Sequence, residues 1–416
     1  MSVHERVVEH VTCLGCGCAC DDITVAVKQD RIAEARNACA LGVAWFGDGA
    51  VPREAQVRGR RSSLWRAIAE AARILEGGQR PLIYLAADVS CETQREAVAI
   101  ADRLRAALDS VAATAAAGVL AAQRRGRAGA TLGEIRQRAD LIAFWGVDPG
   151  ERYPRYVSRY AVHPRGLAAP QGRNSRKLIA VDLGKVRGPA DADARVAIAP
   201  ADEVDALLAM RATVLGRAAG ADDRFGPASA LARLMMQARY VVIVADGEPG
   251  AVPADPDRAE ALVTLAQALN GPTRCALSML RGGGNRSGAE AVLTWQTGFP
   301  FAVDFARGYP VYRPHAGAEA LLAAGEVDAS LVIGAAGSIP PPVAARLARV
   351  ATIAIGPRAS AAPFAPAVAV DTGVAGIHEA GTAFRMDDVP LALRPALDGP
   401  PAAAATVRAL RERLCT

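Results

Sequence analysis

Short apolar runs alternate along this chain with longer amphipathic segments rich in alanine. The runs have the length of buried strands, and the longer segments carry apolar residues at the three-to-four-residue spacing of a helix packed on a sheet. The predicted strands are residues 81–87, 141–145, 177–181, 240–245, 331–333 and 352–355. The predicted helices are residues 64–76, 92–108, 259–269 and 341–350.

This alternation is typical of α/β proteins, in which helices cover both faces of a mostly parallel sheet. We predict a small amino-terminal cysteine-cluster domain at residues 1–60, followed by doubly wound α/β domains at 61–220 and 221–416. The last domain is expected to be partly intertwined with the one before it. Segments 164–176 and 219–228 are rich in Gly, Pro and charge, and they are the candidate linkers.

The composition excludes some classes of protein. Hydrophobic residues make up 51% of the chain, yet no uncharged apolar run reaches the roughly 18 residues that cross a bilayer. The 48 basic and 43 acidic residues leave a net charge of +5, which is too balanced for nucleic acid to be the main partner. The basic run at 52–66 is interpreted as a solvated connector. Residues 1–35 contain no secretory signal pattern, so we expect a cytoplasmic protein.

The amino-terminal stretch TCLGCGCACDD concentrates the candidate metal chemistry. Thiolates spaced by three and four positions, with a more distant fourth, suit an iron–sulfur cluster. The preferred ligands are Cys13, Cys16, Cys20 and Cys39, with Cys18 as a spectator. The intervening glycines allow the positive φ angles and close backbone approach that such a site needs. A zinc ribbon and reduced thiols without a metal remain the alternatives.

Ligands of open α/β sheets bind beyond the carboxyl ends of the strands, so the residues that follow predicted strands are candidates. The sequences FWGVDPGE and VDLGKVRG place Gly146, Asp148 and Asp182 there, where they could contact a phosphate or a dinucleotide. Ordinary turn chemistry is the alternative. Neither sequence follows the three-glycine dinucleotide fingerprint or a Walker loop.

A further loop, LRGGGNRSG at residues 280–288, sets arginines and an asparagine on a glycine-rich frame. Such a loop can approach an anionic ligand closely, which makes Arg281, Gly282 and Asn285 candidate cofactor contacts. A mobile surface loop is the alternative. The sequence contains no HExxH pair and no GxSxG elbow, so a hydrolase site in this chain has little support.

Several segments together resemble the B subunit of formylmethanofuran dehydrogenase, which belongs to the molybdopterin oxidoreductases. They are CxxCGCxCDDI, TLGEIRQRADLIAFWGVDP, YPRYVSRYAVHPRG and TWQTGFPFAVDFARGYPVYRP. The similarity continues to AGIHEAGTAFRMDDVPLALRP near the carboxyl end, so it covers almost the whole chain. It implies a molybdopterin-oxidoreductase-like fold.

The resemblance also implies a [4Fe-4S] cluster on the four preferred cysteines, beside a molybdenum or tungsten bis-pterin that reduces carbon dioxide to formate. In the family, a cysteine or selenocysteine that binds this metal lies just before the stretch matching residues 120–134. Here the region reads TAAAG, and no cysteine occurs between Cys91 and Cys275. Arg281 matches an arginine near the metal, but the missing thiolate implies a degenerate site.

The missing metal-binding cysteine is consistent with one branch of the family. This branch is the formyltransferase/hydrolase complex of methylotrophic bacteria, which works in formaldehyde oxidation. There a formyl group passes from tetrahydromethanopterin to a methanofuran analogue and is hydrolysed to formate. The resemblance implies that this chain is the B subunit in a structural role, assembled with a zinc-dependent hydrolase, a formyltransferase and a protein like the family's C subunit. An active Mo or W formylmethanofuran dehydrogenase is the alternative, and a zinc-ribbon regulatory protein is a weaker one.

Overall fold

The computed structural model describes residues 5–217, 223–248 and 257–415. Its strands are β1 Glu5–Val11, β2 Ile23–Lys28, β3 Arg31–Arg36, β4 Ala55–Val57, β5 Arg60–Arg61, β6 Pro81–Leu85, β7 Ala107–Ser110, β8 Leu141–Trp145, β9 Lys177–Leu183, β10 Ala194–Ile198, β11 Tyr240–Asp246, β12 Arg274–Leu280, β13 Val303–Asp304, β14 Val311–Tyr312, β15 Ala329–Ile333, β16 Ala351–Gly356, β17 Val368–Asp371, β18 Gly381–Phe384 and β19 Pro390–Leu393.

The α-helices of the same ranges are α1 Ala40–Phe46, α2 Leu64–Gly77, α3 Cys91–Leu104, α4 Ala116–Arg125, α5 Leu132–Arg138, α6 Glu203–Val214, α7 Gly226–Gln237, α8 Arg258–Leu269, α9 Arg286–Thr297, α10 Ala318–Ala323, α11 Pro341–Leu347 and α12 Ala403–Arg413. A π-helical turn occupies Tyr156–Ala161. Within the described residues, no helix is both long and apolar enough to span a membrane.

The chain forms two compact units, and the second is inserted into the first. Unit 1 comprises Met1–Ala113 and Gly282–Thr416, and unit 2 comprises Thr114–Arg281. This division does not follow the predicted boundaries at residues 60 and 220, because one sheet of unit 1 combines strands from both sides of the insertion. The candidate linker 164–176 lies inside unit 2. The linker 219–228 lies partly outside the described residues, and its last residues begin α7.

Unit 1 is built on a nine-stranded sheet with the order β14-β13-β7-β6-β15-β16-β17-β4-β5. The five central strands are parallel, and antiparallel pairs extend both edges. Ile83 and Leu85 of β6 face a core shared with α2, α3, α9 and α12, whereas Leu82 and Tyr84 face a core shared with α10 and α11. Burial on both faces explains the uninterrupted apolar runs.

Two smaller antiparallel sheets belong to unit 1 as well. One is the three-stranded sheet β1-β2-β3, which carries the cysteine motif between its first two strands, and the other is the hairpin β18-β19. Leu14 and Ala19 of the cysteine motif share a small hydrophobic cluster with Ala383 and Leu393 of this hairpin. The hairpin therefore supports the cysteine motif from the far end of the sequence.

Unit 2 contains a five-stranded, fully parallel sheet with the order β10-β9-β8-β11-β12. The chain moves outward from β8 to β10 and then returns to place β11 on the other side of β8. The topological switch point, where open α/β sheets bind ligands, therefore lies between β8 and β11. Helices α6, α7 and α8 pack over one core that includes Ile179 and Ile243. The predicted α/β class is confirmed.

The predicted strands all occur within two residues of their expected bounds, but two predicted helices are wrong at their carboxyl ends. The prediction has a single helix over residues 92–108, whereas α3 stops at Leu104 and residues 107–110 form β7. Arg105 has a φ of 52°, a left-handed conformation that ends the helix. Parallel pairing of β7 with β6 overrides the helix preference of the Ala-Ala-Leu sequence. The expected helix at 341–350 likewise ends early, at Leu347.

Candidate functional site

The cysteine motif forms the connection between β1 and β2 of unit 1. The Cys13 amide donates to the Cys20 carbonyl oxygen at 2.9 Å, and the Ala19 amide donates to the Cys16 carbonyl oxygen at 3.1 Å. The connection therefore folds back on itself and holds its thiols close together. No disulfide joins any of the eight cysteines, and Cys13, Cys18 and Cys20 are buried.

Helix α1 brings the fifth cysteine to this loop. Cys39 is the residue that precedes the helix, and its side chain makes no capping hydrogen bond. A Cβ atom at Gly42 would lie 3.2 Å from the Cys13 sulfur and 4.0 Å from the Cys39 sulfur, so both sulfurs flank the first turn of α1. A Cβ atom at Gly15 would meet the Leu41 carbonyl oxygen at 3.1 Å. The two glycines thus let helix and loop approach closely.

The electrostatics of the loop show that its thiols influence one another. Burial raises the pKa of the Cys13 thiol far above its usual value, against a hydrogen bond from the Gly15 amide, and the neighbouring Cys16, Cys20 and Cys39 raise it further. A hydrogen bond with Cys16 raises the pKa of Cys18, and burial adds to it. Several thiolates at one buried position repel each other, so a bound cation is needed to hold them deprotonated.

Within the described ranges, no group of three or more His, Cys, Asp or Glu side chains is arranged to hold a metal ion. A zinc ribbon would need four sulfurs that converge on one ion, each about 2.3 Å away. A four-iron cluster binds each thiolate through a different iron, so the four cysteine sulfurs surround the whole cluster and lie farther apart than around a single zinc ion. The loop supplies a donor set with the chemistry of such a cluster, and the ligand assignment stays a prediction.

The glycine-rich loop at 280–288 contacts the cysteine motif within unit 1. The Gly284 amide donates to the Leu14 carbonyl oxygen at 2.8 Å, and the Asp88 amide donates to the Gly284 carbonyl oxygen at 2.9 Å. A Cβ atom at Gly283 would lie 2.1 Å from the Leu14 carbonyl oxygen and 2.7 Å from the Cys16 amide nitrogen. The glycines at 283 and 284 therefore serve contact with the protein's own cysteine loop.

Asn285 is buried and has a left-handed φ of 61° at the start of α9. Its side-chain nitrogen donates to the Val89 carbonyl oxygen at 2.9 Å, and its side-chain oxygen accepts from the Phe384 backbone amide at 2.8 Å. Both ends of the side chain thus brace unit 1, linking α9 to β18 and to the residues before α3. Gly282, the other predicted contact of this loop in unit 1, is half-buried.

The remaining predicted contacts lie in unit 2. Gly146 follows β8 at the switch point and has a φ of 57°, and its amide donates to the Val181 carbonyl oxygen at 2.8 Å. Asp148 is exposed and accepts from the Gly150 amide at 2.9 Å, as in an ordinary turn. Arg281, at the end of unit 2, is buried, with its Nε 3.5 Å from the Glu248 carboxylate. Gly146 and Asp148 therefore lie close to the switch point, as predicted from their position after β8.

Asp182 is buried near the end of β9 and bound by the protein itself. Its carboxylate pairs with Arg195 at 2.6 Å and with Arg187 at 3.0 Å, and it accepts from the Gly188 amide at 2.9 Å. Burial alone would raise the pKa of Asp182, but the hydrogen bonds from Arg195, Gly188 and Arg187 hold it below its usual value. This carboxylate is an internal anchor, which agrees with the alternative of structural turn chemistry.

The sequence prediction missed a polar cluster at the carboxyl end of β11, on the other side of the switch point. The buried Asp246 carboxylate accepts from Arg152 at 2.6 Å, from the Tyr153 hydroxyl at 3.1 Å and from the Glu248 amide at 2.9 Å. Burial raises the pKa of Asp246, against these donors. The signal was present, because VVIVADGE is another apolar run that ends in carboxylates, like the strand ends at Asp148 and Asp182.

Comparison with known proteins gives relatives over nearly the full length. The chain is 32% identical over 412 residues to the B subunit of tungsten-containing formylmethanofuran dehydrogenase 2 from Methanocaldococcus jannaschii, with 95% of each chain covered. It is 30% identical over 419 residues to the protein of the same description from Methanococcus maripaludis, with the same coverage. No family profile matches the chain.

A solved structure is also similar, that of the formyltransferase/hydrolase complex from Methylorubrum extorquens in complex with methylofuran. The TM-score is 0.70 with 28% sequence identity, and the match covers 87% of this chain and 98% of the other. The fold similarity and the sequence similarity each extend over most of the chain. The chain belongs to the family of formylmethanofuran dehydrogenase B subunits.

Proposed function

We propose that this chain is the B subunit of a formyltransferase/hydrolase complex of one-carbon metabolism, in which it has a structural role. Its partners are the formyltransferase, the zinc-dependent hydrolase and a protein like the family's C subunit, and the complex carries a methanofuran analogue. The observation that supports this most is the match to 98% of a chain in the Methylorubrum extorquens complex, in a sequence without the metal-binding thiolate.

The molybdenum or tungsten bis-pterin does not fit the residues present. Residues 114–118, the region where the family places its metal ligand, are Thr, Ala, Ala, Ala and Gly, at the end of a 3-10 turn and the start of α4. None of these side chains carries a sulfur atom, and the hydroxyl of Thr114 does not replace the sulfur ligand that a soft metal takes in this family. Two other predicted contacts, Asp182 and Asn285, already hold protein groups with both side-chain ends. We therefore assign no redox step to this chain.

The four-iron cluster does fit the chemistry of the cysteine loop. Cys13, Cys16, Cys20 and Cys39 would hold it, and Cys18, buried beside Cys16, would stay outside the ligand set. Such a cluster supplies one-electron transfer when a partner site exists. In this chain, a cluster bound by the four cysteines would chiefly tie the β1–β2 loop to the start of α1. The molybdopterin-oxidoreductase-like arrangement of an amino-terminal cluster domain beside α/β units is part of the same proposal.

The proposal is tested on the native complex, purified without oxygen through a tag on this chain. We expect formyltransferase and hydrolase subunits to copurify in fixed ratio, with about four irons per copy of this chain and neither Mo nor W. Removal of this chain should prevent assembly while leaving the hydrolase its zinc. A chain that purifies without these partners would contradict the assignment.

Cysteine variants test the cluster separately from the assembly. Cys13→Ser removes a proposed ligand, whereas Cys18→Ser removes a buried thiol from the same loop and serves as the matched control. We expect Cys13→Ser to lose iron and the broad absorption of the cluster, and Cys18→Ser to retain both. Equal iron content in the two variants would refute the ligand set without bearing on the complex.

An active formylmethanofuran dehydrogenase is the second candidate, because both curated relatives are described as tungsten-containing. It requires one Mo or W per chain, held by a ligand other than a protein thiolate. Viologen-linked oxidation of formylmethanofuran by the purified complex separates the two functions. Turnover together with stoichiometric Mo or W would establish the dehydrogenase.

A further inference from the structure

One segment of unit 1, residues 52–66, carries most of the net charge of the chain. Residues 52–66 contain five arginines and one glutamate, a surplus of about four positive charges at pH 7. The whole chain has a net charge of +5. The other residues are therefore almost neutral as a set, and the positive charge is concentrated on the segment that includes β4 and β5.

The structure holds this hairpin in a defined shape at the edge of the nine-stranded sheet. Val57 pairs with Arg60, which leaves a two-residue turn in which Arg58 and Gly59 have φ angles of 50° and 71°. Two positive φ angles are typical of the turn that suits tight antiparallel hairpins. The Arg58 amide donates to the Ala367 carbonyl oxygen at 2.7 Å and so fixes the turn to the residue that precedes β17.

The five arginines of residues 52–66 remain largely uncompensated. Arg61 pairs with Glu54 at 2.9 Å and Arg58 with Glu70 at 3.7 Å, yet these arginine side chains are 82% and 75% exposed. Arg53, Arg60 and Arg66 are exposed and make no ion pair with any described residue. Such a group of like charges repels itself, and an acidic surface placed against it would relieve the repulsion.

A tryptophan lies within the same segment. Trp65, in the first turn of α2, is 72% exposed, which is the largest exposed fraction among the four tryptophans. Tryptophan and arginine are the side chains most enriched among residues that dominate binding energy at protein interfaces. An exposed, large apolar side chain in the same segment as five exposed arginines has the composition of the anchor and rim of a docking surface.

We propose that this basic edge, formed by Arg53, Arg58, Arg60, Arg61, Trp65 and Arg66, docks an acidic surface of another subunit of the complex. The inference rests on the proposed function, since it names a surface for that assembly. The charge of the edge requires a partner surface with excess Asp and Glu, and Trp65 requires an apolar recess within it. Nucleic acid is the other polyanion, but proteins that bind it spread positive charge over many phosphates, and the rest of this chain is nearly neutral.

The test uses three exposed variants of the tagged chain in the full complex. Arg60→Glu reverses one uncompensated charge, Trp65→Ala removes the anchor, and Arg349→Glu reverses an exposed charge outside the edge as the control. Because all three side chains are exposed, the thermal unfolding midpoint of each isolated variant should match the wild type. Retention of the other subunits, identified by mass spectrometry, is then measured at increasing ionic strength.

We expect Arg60→Glu and Trp65→Ala each to weaken association at least about tenfold, with Arg349→Glu unchanged and the wild-type complex weakened by salt. Full retention in both edge variants would overturn the docking surface and leave the proposed function standing. A wild-type chain that retains neither the formyltransferase nor the hydrolase would overturn both. Binding of a fluorescent single-stranded RNA that Arg60→Glu abolishes would reassign the edge to nucleic acid.

Discussion

The close contact between Gly284 and the residues after β6 sets a strict limit on side-chain size. Gly284 has a φ of 71°, and a Cβ atom there would lie 2.4 Å from the Ala87 Cβ atom. Gly59 has the same φ of 71°, but a Cβ atom there would meet nothing within 4 Å beyond its adjacent residues. An alanine at position 59 would therefore meet backbone strain alone, whereas an alanine at position 284 would meet both strain and steric overlap.

We predict that Gly284→Ala lowers the free energy of unfolding by about 2–4 kcal/mol, because strain and overpacking add. Gly59→Ala should cost only about 1 kcal/mol, the contribution of the positive φ alone. Urea denaturation of the two variants measures both values. Equal losses would show that the loop at 284 relaxes away from β6, contrary to its contact with Ala87.

His378 links two distant parts of unit 1 through a neutral imidazole ring. Its Nε2 lies 2.8 Å from the Gly49 carbonyl oxygen, and its Nδ1 accepts from the Val374 amide at 3.1 Å. An imidazolium has no acceptor, so the second bond requires the neutral form. Burial lowers the pKa of His378 below its usual value, with the nearby Arg53 acting in the same direction, against the Gly49 bond.

The stability of unit 1 should accordingly fall in mild acid. Because the folded state has the lower pKa, the unfolded chain takes up the proton first, and the free energy of unfolding declines as pH drops below about 6.5. The variant His378→Gln cannot titrate there. We expect the stability gap between wild type and His378→Gln to narrow from pH 7.5 to pH 5.5 in urea titrations. A constant gap would mean that the ring keeps its ordinary pKa.

At the scale of elements, α12 depends on a carboxylate from outside the helix. Its preceding residue is Ala402, which has no side chain able to cap the first turn. Glu379 accepts instead from the Ala403 and Ala404 amides at 2.8 and 3.2 Å, and Ser90 and Thr93 of the α3 terminus donate to the same carboxylate. One buried side chain thus joins the amino ends of α3 and α12.

We predict that Glu379→Ala destabilises the protein by about 2–3 kcal/mol, since two buried amides and two hydroxyls lose their acceptor. Glu412→Ala, which changes an exposed glutamate in the last turn of α12, is the control and should alter stability by less than about 0.5 kcal/mol. Guanidinium denaturation followed by circular dichroism compares them. Similar losses would show that α12 is stabilised by packing alone.

Apolar patterns identify the buried elements well and the irregular ones poorly. The strand at 141–145 was predictable because all five of its residues are apolar and buried. The boundary between α3 and β7 could not be predicted from the local sequence, because residues 107–110 become a strand only by pairing with β6. At the site, the cysteines are recognisable by their spacing, whereas Asn285 holds protein groups in place of the predicted ligand. Its bonds to Val89 and Phe384 join distant parts of the sequence, which no local pattern encodes.

At the scale of the whole molecule, the chain of unit 2 is continuous, from Thr114 to Arg281. It has its own parallel sheet and a hydrophobic core formed from its own residues. We predict that a fragment of residues 114–281 folds alone and unfolds cooperatively, as expected of an inserted domain. Circular dichroism and limited proteolysis of the fragment provide the measurement, and a fragment without a cooperative transition would contradict it.

The insertion also sets the order of events during synthesis. The cysteine loop leaves the ribosome first, but Gly283 and Gly284, which cover its backbone in unit 1, follow only after the whole of unit 2. At about 5–20 residues per second, that interval is on the order of 10–50 s. Throughout it the nascent thiols lack their final cover, so the time of translation itself is a window for oxidation and for insertion of the proposed cluster. A cell that makes this protein must therefore protect these thiols until the second half of unit 1 arrives, or load the proposed cluster before then.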